Sequence, residues 1–101
     1  MNVLHETNVF SDWLTNLKNN QMKARILARI QCARFGNFGD CEPVGEGISE
    51  MRLHFGPGYR VYFAQEGVQV YLLLCGGDKS TQKQDIRQAR SIWREIKEGT
   101  P

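Results

Sequence analysis

The sequence predicts one α+β domain, in which two N-terminal helices precede an antiparallel sheet of three to four strands and a further helix closes the chain. Two observations predict this order. Hydrophobic residues recur at helical spacing near both ends of the chain, and they alternate with polar residues in its middle third. The 101 residues suffice for one compact domain, and no linker or internal repeat divides them, so residues 1–101 are taken as a single unit.

The segment before Gly36 predicts a short strand and two helices. Val3–Glu6 is predicted as an edge strand, and a helix follows that ends at Asn19–Asn20. Its apolar residues at helical spacing are Phe10, Trp13, Leu14 and Leu17. A second helix is predicted from about Gln21, with one apolar face made of Met22, Ile26, Ile30 and Ala33. Gly36–Asp40 is predicted as a loop.

In the middle third the hydrophobic period changes to two, which predicts strands. In Ile48–Phe55, the side chains of Met51, Leu53 and Phe55 are expected on one face, and those of Glu50, Arg52 and His54 on the other. After a turn at Gly56–Gly58, the residues Tyr59, Val61 and Phe63 alternate with Arg60, Tyr62 and Ala64. A second turn at Glu66–Gly67 leads into Val68–Cys75, whose nearly continuous apolar run predicts a central strand of an antiparallel meander.

The end of the chain predicts one long helix. Gly76–Gly77 is expected to end the sheet, and Thr81 with Gln84 matches a capping box that opens a helix to about Lys97. The predicted buried stripe of this helix consists of Ile86, Ala89, Trp93 and Ile96. A second stripe is cationic and consists of Lys83, Arg87, Arg90 and Arg94. We expect the helices to pack on one sheet face and to leave Arg52, His54, Arg60 and Tyr62 on an open face.

Composition and charge exclude several classes of function. The net charge is only +2, but the cations cluster in the second and the last helix, which allows a polyanionic partner. Cys32, Cys41 and Cys75 form no CxxC pair, and with only two histidines no metal site and no cofactor are predicted. The free thiols and the lack of a signal peptide predict a cytoplasmic protein. The longest apolar run, Val70–Cys75, is too short to span a membrane, and Gly76–Gly77 lacks the residues of a nucleotide-binding loop.

A series of motifs extends over nearly the whole chain in a fixed order. It consists of the spaced residues Phe10, Trp13 and Leu17, followed by Gly36–Asp40, Val44–Gly47, Glu50–Leu53, Gly56–Phe63, Leu72–Lys79 and Asp85–Ala89. This series resembles the "addiction module killer" group, HigB-like toxins of the RelE/ParE superfamily in type II toxin–antitoxin systems. The resemblance implies a RelE-like fold and a cytoplasmic toxin. It also implies a cognate helix-turn-helix antitoxin encoded nearby, and the ribosome and mRNA as further partners. No membrane partner or particular oligomeric state is predicted.

The resemblance also implies which residues act. Metal-independent RNA cleavage needs a 2′-hydroxyl deprotonated, a phosphorane stabilised and a 5′-oxygen protonated. Arg60 matches the arginine that relatives place on the scissile phosphate, and Arg52 and Lys79 match further basic positions. His54 is a candidate for proton transfer. Tyr62 is expected either to stack on an RNA base or to pack at the sheet margin. The RNA-binding candidates on the last helix are Lys83, Arg87, Arg90 and Arg94, although their pattern alone favours a solvated helix face.

Three functions remain open at the level of sequence. The first is a ribosome-dependent mRNA endonuclease that inhibits translation. The second is a non-enzymatic inhibitor of DNA gyrase, as in the ParE branch of the superfamily. The third is a catalytically inert module that binds its antitoxin. The basic pair of Arg52 and Arg60, with His54 on the same sheet face, favours the first, and the lack of an evident acid–base pair on that face is consistent with the third.

Overall fold

The fold is α+β and is built on a five-stranded mixed sheet. The computed structural model describes residues 1–99. Within these residues the sheet has the order β1-β5-β4-β3-β2, and three α-helices pack against it. The strands are β1 (Val3–Glu6), β2 (Cys41–Gly45), β3 (Ile48–Leu53), β4 (Tyr59–Gly67) and β5 (Val70–Gly77). The helices are α1 (Asn8–Thr15), α2 (Asn20–Arg34) and α3 (Gln82–Glu98), with a 3-10 turn at Lys79–Thr81 before α3.

The predicted meander of β3, β4 and β5 is confirmed, but the prediction of a purely antiparallel sheet of three to four strands is wrong. The predicted edge strand β1 is present, and it pairs with β5 in parallel. A fifth strand, β2, pairs antiparallel with β3 at the opposite edge of the sheet. Its sequence, Cys-Glu-Pro-Val-Gly, contains proline and glycine, which are depleted in strands and are tolerated at a sheet edge.

Several element boundaries differ from the prediction, and polar capping side chains set those at the starts of the helices. The α1 helix ends at Thr15, and Asn19 begins α2 by accepting hydrogen bonds from the amides of Gln21 and Met22. Asp78 caps the 3-10 turn and forms a capping box with Thr81, so the box predicted between Thr81 and Gln84 is wrong. The β4–β5 turn lies after Gly67, and β5 extends to Gly77.

The helices cover both faces of the sheet, so the prediction that they pack on one face is wrong. One core lies between the sheet and the first two helices and includes Phe10, Ile26, Met51, Leu53, Val61 and Leu73. A second core lies between the sheet and α3 and includes Ile48, Tyr62, Ala64, Leu74, Cys75, Ala89 and Trp93. The central strands β4 and β5 carry apolar side chains on both faces, and α3 removes the second of these faces from water.

The end of β5 allows helices to approach closely on either side of the sheet. A Cβ atom on Gly76 would overlap the ring of Trp13 from α1, and one on Gly77 would overlap the carboxylate of Asp85 from α3. The Trp13 ring has little room to move, because its centroid lies 5.8 Å from that of Phe10 and 6.1 Å from that of Tyr59. The two glycines are therefore packing positions in the last two residues of β5, which ends at Gly77 as the sequence predicts.

We expect Gly76→Ala to lower the free energy of unfolding by about 1–3 kcal/mol, because the added methyl group must displace the Trp13 ring. Gly67→Ala is the matched control, since a Cβ there would meet no atom within 4 Å. Urea unfolding of both variants measures the difference. Equal stability of the two variants would show that Trp13 moves aside at no cost.

Candidate functional site

Strands β3 and β4 place Arg52 and Arg60 directly opposite each other on the face that α3 covers. The next pair along this face is Glu50 and Tyr62, and Gly77 of β5 stands beside Arg60. The register follows from the period of two, which directs Met51 and Val61 to the opposite core. The predicted grouping of Arg52, Arg60 and Tyr62 on one face is confirmed.

The centre of this face is Glu50, a fully buried carboxylate that the sequence did not single out. It accepts hydrogen bonds from Arg52 Nε at 3.0 Å, from the Tyr62 hydroxyl at 2.9 Å and from Gln82 Nε2 at 2.8 Å. Arg60 Nε lies 3.9 Å from the same carboxylate. Burial raises the pKa of Glu50, but these donors and the Arg60 charge outweigh it, so the pKa lies below its usual value. Glu50 is therefore ionised at neutral pH and joins two strands to α3.

Arg60 is mostly buried, so the expectation that it projects from an open face is wrong. Its side chain is 12% exposed, and its Nη1 donates to the carbonyl oxygen of Gly58 at 2.6 Å. Its buried Nε makes no hydrogen bond. Arg60 lies on the sheet face on which α3 packs, and this is the face that was expected to be open. The guanidinium is held at the margin of the second core, with its charge facing Glu50.

Tyr62 is fully buried and cannot stack on an RNA base in this structure. Its side chain packs in the core beneath α3, and its hydroxyl donates to Glu50. Burial, followed by the hydrogen bond to Glu50, raises the pKa of Tyr62 far above its ordinary value. The phenol therefore remains protonated and serves as a donor. Of the two roles considered for Tyr62, the structure supports packing.

Arg52 and His54 each pair with an exposed carboxylate near the β2 edge. The Arg52 guanidinium is shared between Glu50 and Glu42, the second contact being made by Nη2. His54 follows the end of β3, and its Nε2 lies 2.6 Å from Oδ2 of Asp40. The hydrogen bond from His54 lowers the pKa of Asp40. Arg52 and Arg60 thus meet at Glu50, and together with Tyr62 and Gln82 they form what we call the Glu50 cluster. His54 lies outside this cluster.

His54 also lines a cavity of about 380 Å³ between the end of β3 and α2. The other lining residues are Arg25, Ala28, Arg29, Cys32 and Phe55. This cavity lies beside α2, whereas the Glu50 cluster lies beneath α3. The expectation that His54 joins Arg52 and Arg60 in one site is not met.

Lys79 stands beside Arg60 across the turn that precedes β4. A Cβ atom on Gly58 would lie 2.9 Å from Arg60 Nη1 and 3.5 Å from the Cβ atom of Lys79. The exposed Lys79 also lines a depression of about 360 Å³ together with Gln82, Lys83 and Arg87. Lys83 and Arg87 form no ion pair within residues 1–99. The depression is therefore cationic and adjoins the Glu50 cluster through Gln82.

The second half of the α3 stripe is tied to the β2–β3 turn. Arg94 Nη2 lies 2.5 Å from Oε1 of Glu46, and Arg90 Nε lies 3.6 Å from its Oε2. Arg90 Nη2 donates to the carbonyl oxygen of Val44 at 2.5 Å. The hydrogen bond from Arg94 lowers the pKa of Glu46. The four cations predicted to bind RNA are thus divided into an unpaired half and a paired half.

A second buried carboxylate, Asp85, was also missed by the sequence analysis. It accepts a hydrogen bond of 2.5 Å from the Thr81 hydroxyl and packs against Gly77. Burial raises its pKa, and the Thr81 hydrogen bond opposes that rise. The available sequence signal for both carboxylates was an acid spaced to share a face with a buried apolar residue: Glu50 two residues after Ile48, and Asp85 four residues before Ala89. Within residues 1–99, no group of three or more histidine, cysteine, aspartate or glutamate side chains could hold a metal ion.

Comparison with known proteins found a relative in Haemophilus influenzae Rd, described there as an uncharacterized protein. It is 50% identical over 90 residues, which cover 89% of this chain and 91% of that protein. No family model matches the chain, and no solved structure matches it. None of the helices in residues 1–99 is long and apolar enough to cross a membrane.

Proposed function

The chain belongs to the same family as that H. influenzae protein, and we propose that it is the toxin of a type II toxin–antitoxin system. In this proposal the domain has a RelE-like fold and acts in the cytoplasm as a metal-independent, ribosome-dependent mRNA endonuclease. A helix-turn-helix antitoxin encoded nearby neutralises it. The proposal rests on the order of the motifs from Gly36–Asp40 to Asp85–Ala89 and on the cluster around Glu50.

The observation that carries the proposal is the pair of arginines on one buried carboxylate, with Lys79 beside them. Glu50 fixes the Arg52 guanidinium through Nε and attracts that of Arg60. A guanidinium in a fixed orientation can stabilise charge that develops on a phosphate without a reorganisation cost during the reaction. The cationic depression next to Gln82 provides a path for the RNA backbone.

The roles follow from the positions. Arg60 and Arg52 stabilise the pentacoordinate phosphorane, and Lys79 or His54 transfers protons. Lys79 lies next to Arg60, whereas His54 is paired with Asp40 and would act only if the substrate reached the β2 edge. Position therefore favours Lys79 for proton transfer at the phosphate that Arg60 contacts.

One observation favours the catalytically inert module as the second candidate. Arg52 is already bound by two carboxylates, and Arg60 by a carboxylate and a carbonyl group. A guanidinium so engaged must release a partner before it binds a phosphate in the bidentate manner. A protein that only binds its antitoxin has no need for that exchange.

A pulse of expression in growing cells separates these functions. We expect protein synthesis to stop first, with cleavage of mRNA on translating ribosomes. An early arrest of DNA replication with an SOS response would indicate the ParE-like inhibitor of gyrase instead. Normal growth with a folded protein, which still co-purifies with the product of the neighbouring gene, would establish the inert module and contradict the endonuclease.

A further inference from the structure

One acidic segment contacts half of the basic residues that the sequence marks as functional. Residues 40–46 comprise the edge strand β2 and its flanks, and we name this segment the acidic edge. Its three carboxylates each face a different predicted site residue or pair. Asp40 pairs with His54, Glu42 pairs with Arg52, and Glu46 pairs with Arg90 and Arg94.

The contacts of Glu42 and Glu46 differ in kind from those of Glu50. The side chains of Glu42 and Glu46 are 56% and 38% exposed, while that of Glu50 is fully buried. An ion pair in contact with water is cheap to break, because both charges are readily solvated when they separate. A buried carboxylate has no such alternative. The inner partner of Arg52 is therefore permanent, and its outer partner Glu42 can be exchanged.

Such an exchange leaves the arginine in place. Arg52 donates through Nε to Glu50 and through Nη2 to Glu42, so the loss of the outer contact leaves the inner one to fix the guanidinium. Carboxylate and phosphate oxygens bind a guanidinium with the same donor geometry. A phosphate group can therefore take the place of the Glu42 carboxylate.

We propose that Glu42 and Glu46 stand where phosphate groups of a polyanion bind, so that the acidic edge masks Arg52, Arg90 and Arg94. The partner is a phosphodiester chain, because phosphate oxygens match the guanidinium donors that the carboxylates now occupy. Its phosphates compete with both carboxylates for these arginines, so the unaltered protein engages them only in part beside Lys83 and Arg87. This inference rests on the polyanion-binding part of the proposed function and does not depend on cleavage.

The geometry favours a polyanion over a small anion. Arg90 and Arg94 continue on α3 the row that begins with Lys83 and Arg87, and one ion cannot span that row. The row carries four positive charges, of which Glu46 now engages two. Each arginine that replaces a carboxylate with a phosphate releases counterions from the nucleic acid. The mask therefore lowers both the affinity and its dependence on salt.

Binding of a labelled oligouridylate to Glu42→Gln, Glu46→Gln and the double variant tests the inference. We expect each variant to bind roughly 2- to 5-fold more tightly than the unaltered protein, as expected from the release of a surface ion pair. The plot of log K against log salt should become steeper by about 0.7 for each arginine that gains a phosphate contact. Glu66→Gln is the matched control: it removes the same charge from an exposed glutamate without an ion pair in residues 1–99.

Two results would overturn the inference. One is a double variant with the affinity and salt slope of Glu66→Gln, which would reduce the effect to net charge. The other is a lack of binding by every variant at low salt, which would leave an acidic protein as the partner of this face. Cleavage is measured separately on translating ribosomes. If the Glu→Gln variants bind the oligouridylate more tightly but no cleavage occurs, the endonuclease function is contradicted and the masking of the arginines by Glu42 and Glu46 is supported.

Discussion

Replacing Glu50 with alanine is expected to lower the free energy of unfolding by about 3–5 kcal/mol. The substitution removes the shared acceptor of Arg52, Tyr62 and Gln82 and leaves the buried charge of Arg60 without its counterion. A domain of this size has roughly 5–15 kcal/mol in total, so the loss is a large fraction of it. Denaturant unfolding measures the effect. A loss below about 1 kcal/mol would show that water replaces Glu50 as the acceptor.

Glu50→Gln is the conservative partner of this experiment, and it also tests the charge. Because folding lowers the pKa of Glu50, its ionised form stabilises the protein above the ordinary glutamate pKa, roughly 4.3. This contribution is lost as the pH falls through the lowered pKa of the folded state. Asp85 has a raised pKa, so its titration changes the stability with pH in the opposite direction. The pH dependence of Glu50→Gln must therefore be compared with that of the unaltered protein, in which Asp85 makes the same contribution. We expect the acid-induced loss of stability to be smaller in Glu50→Gln, and parallel curves would contradict an ionised Glu50.

Arg60→Ala is expected to reduce mRNA cleavage by about 10²–10³-fold, equivalent to roughly 2–4 kcal/mol of transition-state stabilisation. The structure adds a second expected effect, a loss of stability, which the removal of an exposed arginine would not cause. Because the Arg60 side chain is 88% buried and faces Glu50, its loss should also destabilise the fold, by about 1–3 kcal/mol. Cleavage on translating ribosomes and thermal melting measure the two effects. The assay must be run well below the melting temperature of the variant.

Arg60→Lys separates the two roles of Arg60. It keeps the charge beside Glu50 and should restore much of the stability, but only part of the activity, because an ammonium group lacks the planar fork of a guanidinium. Arg87→Ala is a control for loss of an exposed cation from α3, with little expected effect on stability. Full cleavage by a folded Arg60→Ala protein would eliminate the phosphate role. Recovery of stability and activity in equal measure by Arg60→Lys would assign Arg60 to the fold alone.

The alternation of side chains in the middle third was predictable because it is a local property. A period of two decides which residues share a face, and it correctly grouped Arg52 with Arg60 and Met51 with Val61. The period does not decide whether a face is covered. Whether a face is covered depends on the apolar residues of both central strands together. Ala64 of β4 and Leu74 of β5 were the sequence features that indicated a second buried face. Exposure was therefore predicted wrongly for Arg60 and Tyr62, whereas their shared face was predicted correctly.

The parts of the site that the sequence analysis missed depend on contacts between distant segments. Gln82 reaches Glu50 across 32 residues, and Arg94 reaches Glu46 across 48. No local sequence pattern around Gln82 or Arg94 indicates a contact with a glutamate so far away in the chain. The β2 strand escaped detection for a related reason, because its Glu42 and Pro43 suit a sheet edge rather than a buried strand. Local patterns thus predicted most of the helices and strands, whereas the partners of the charged side chains could be identified only from the three-dimensional structure.

The parallel pairing of β1 with β5 has a consequence for the order in which the protein folds. The Thr7 hydroxyl, next to β1, donates to the carbonyl oxygen of Leu74, 67 residues further along the chain. The hairpins from β2 to β5 join neighbouring segments, so they can close with little loss of chain entropy. The β1 strand is thus synthesised well before its partner β5 and is among the last strands of the sheet to find its place. Until β5 is complete, Leu4 has no strand to pair with, and this long loop closure is expected to slow folding relative to a purely antiparallel meander.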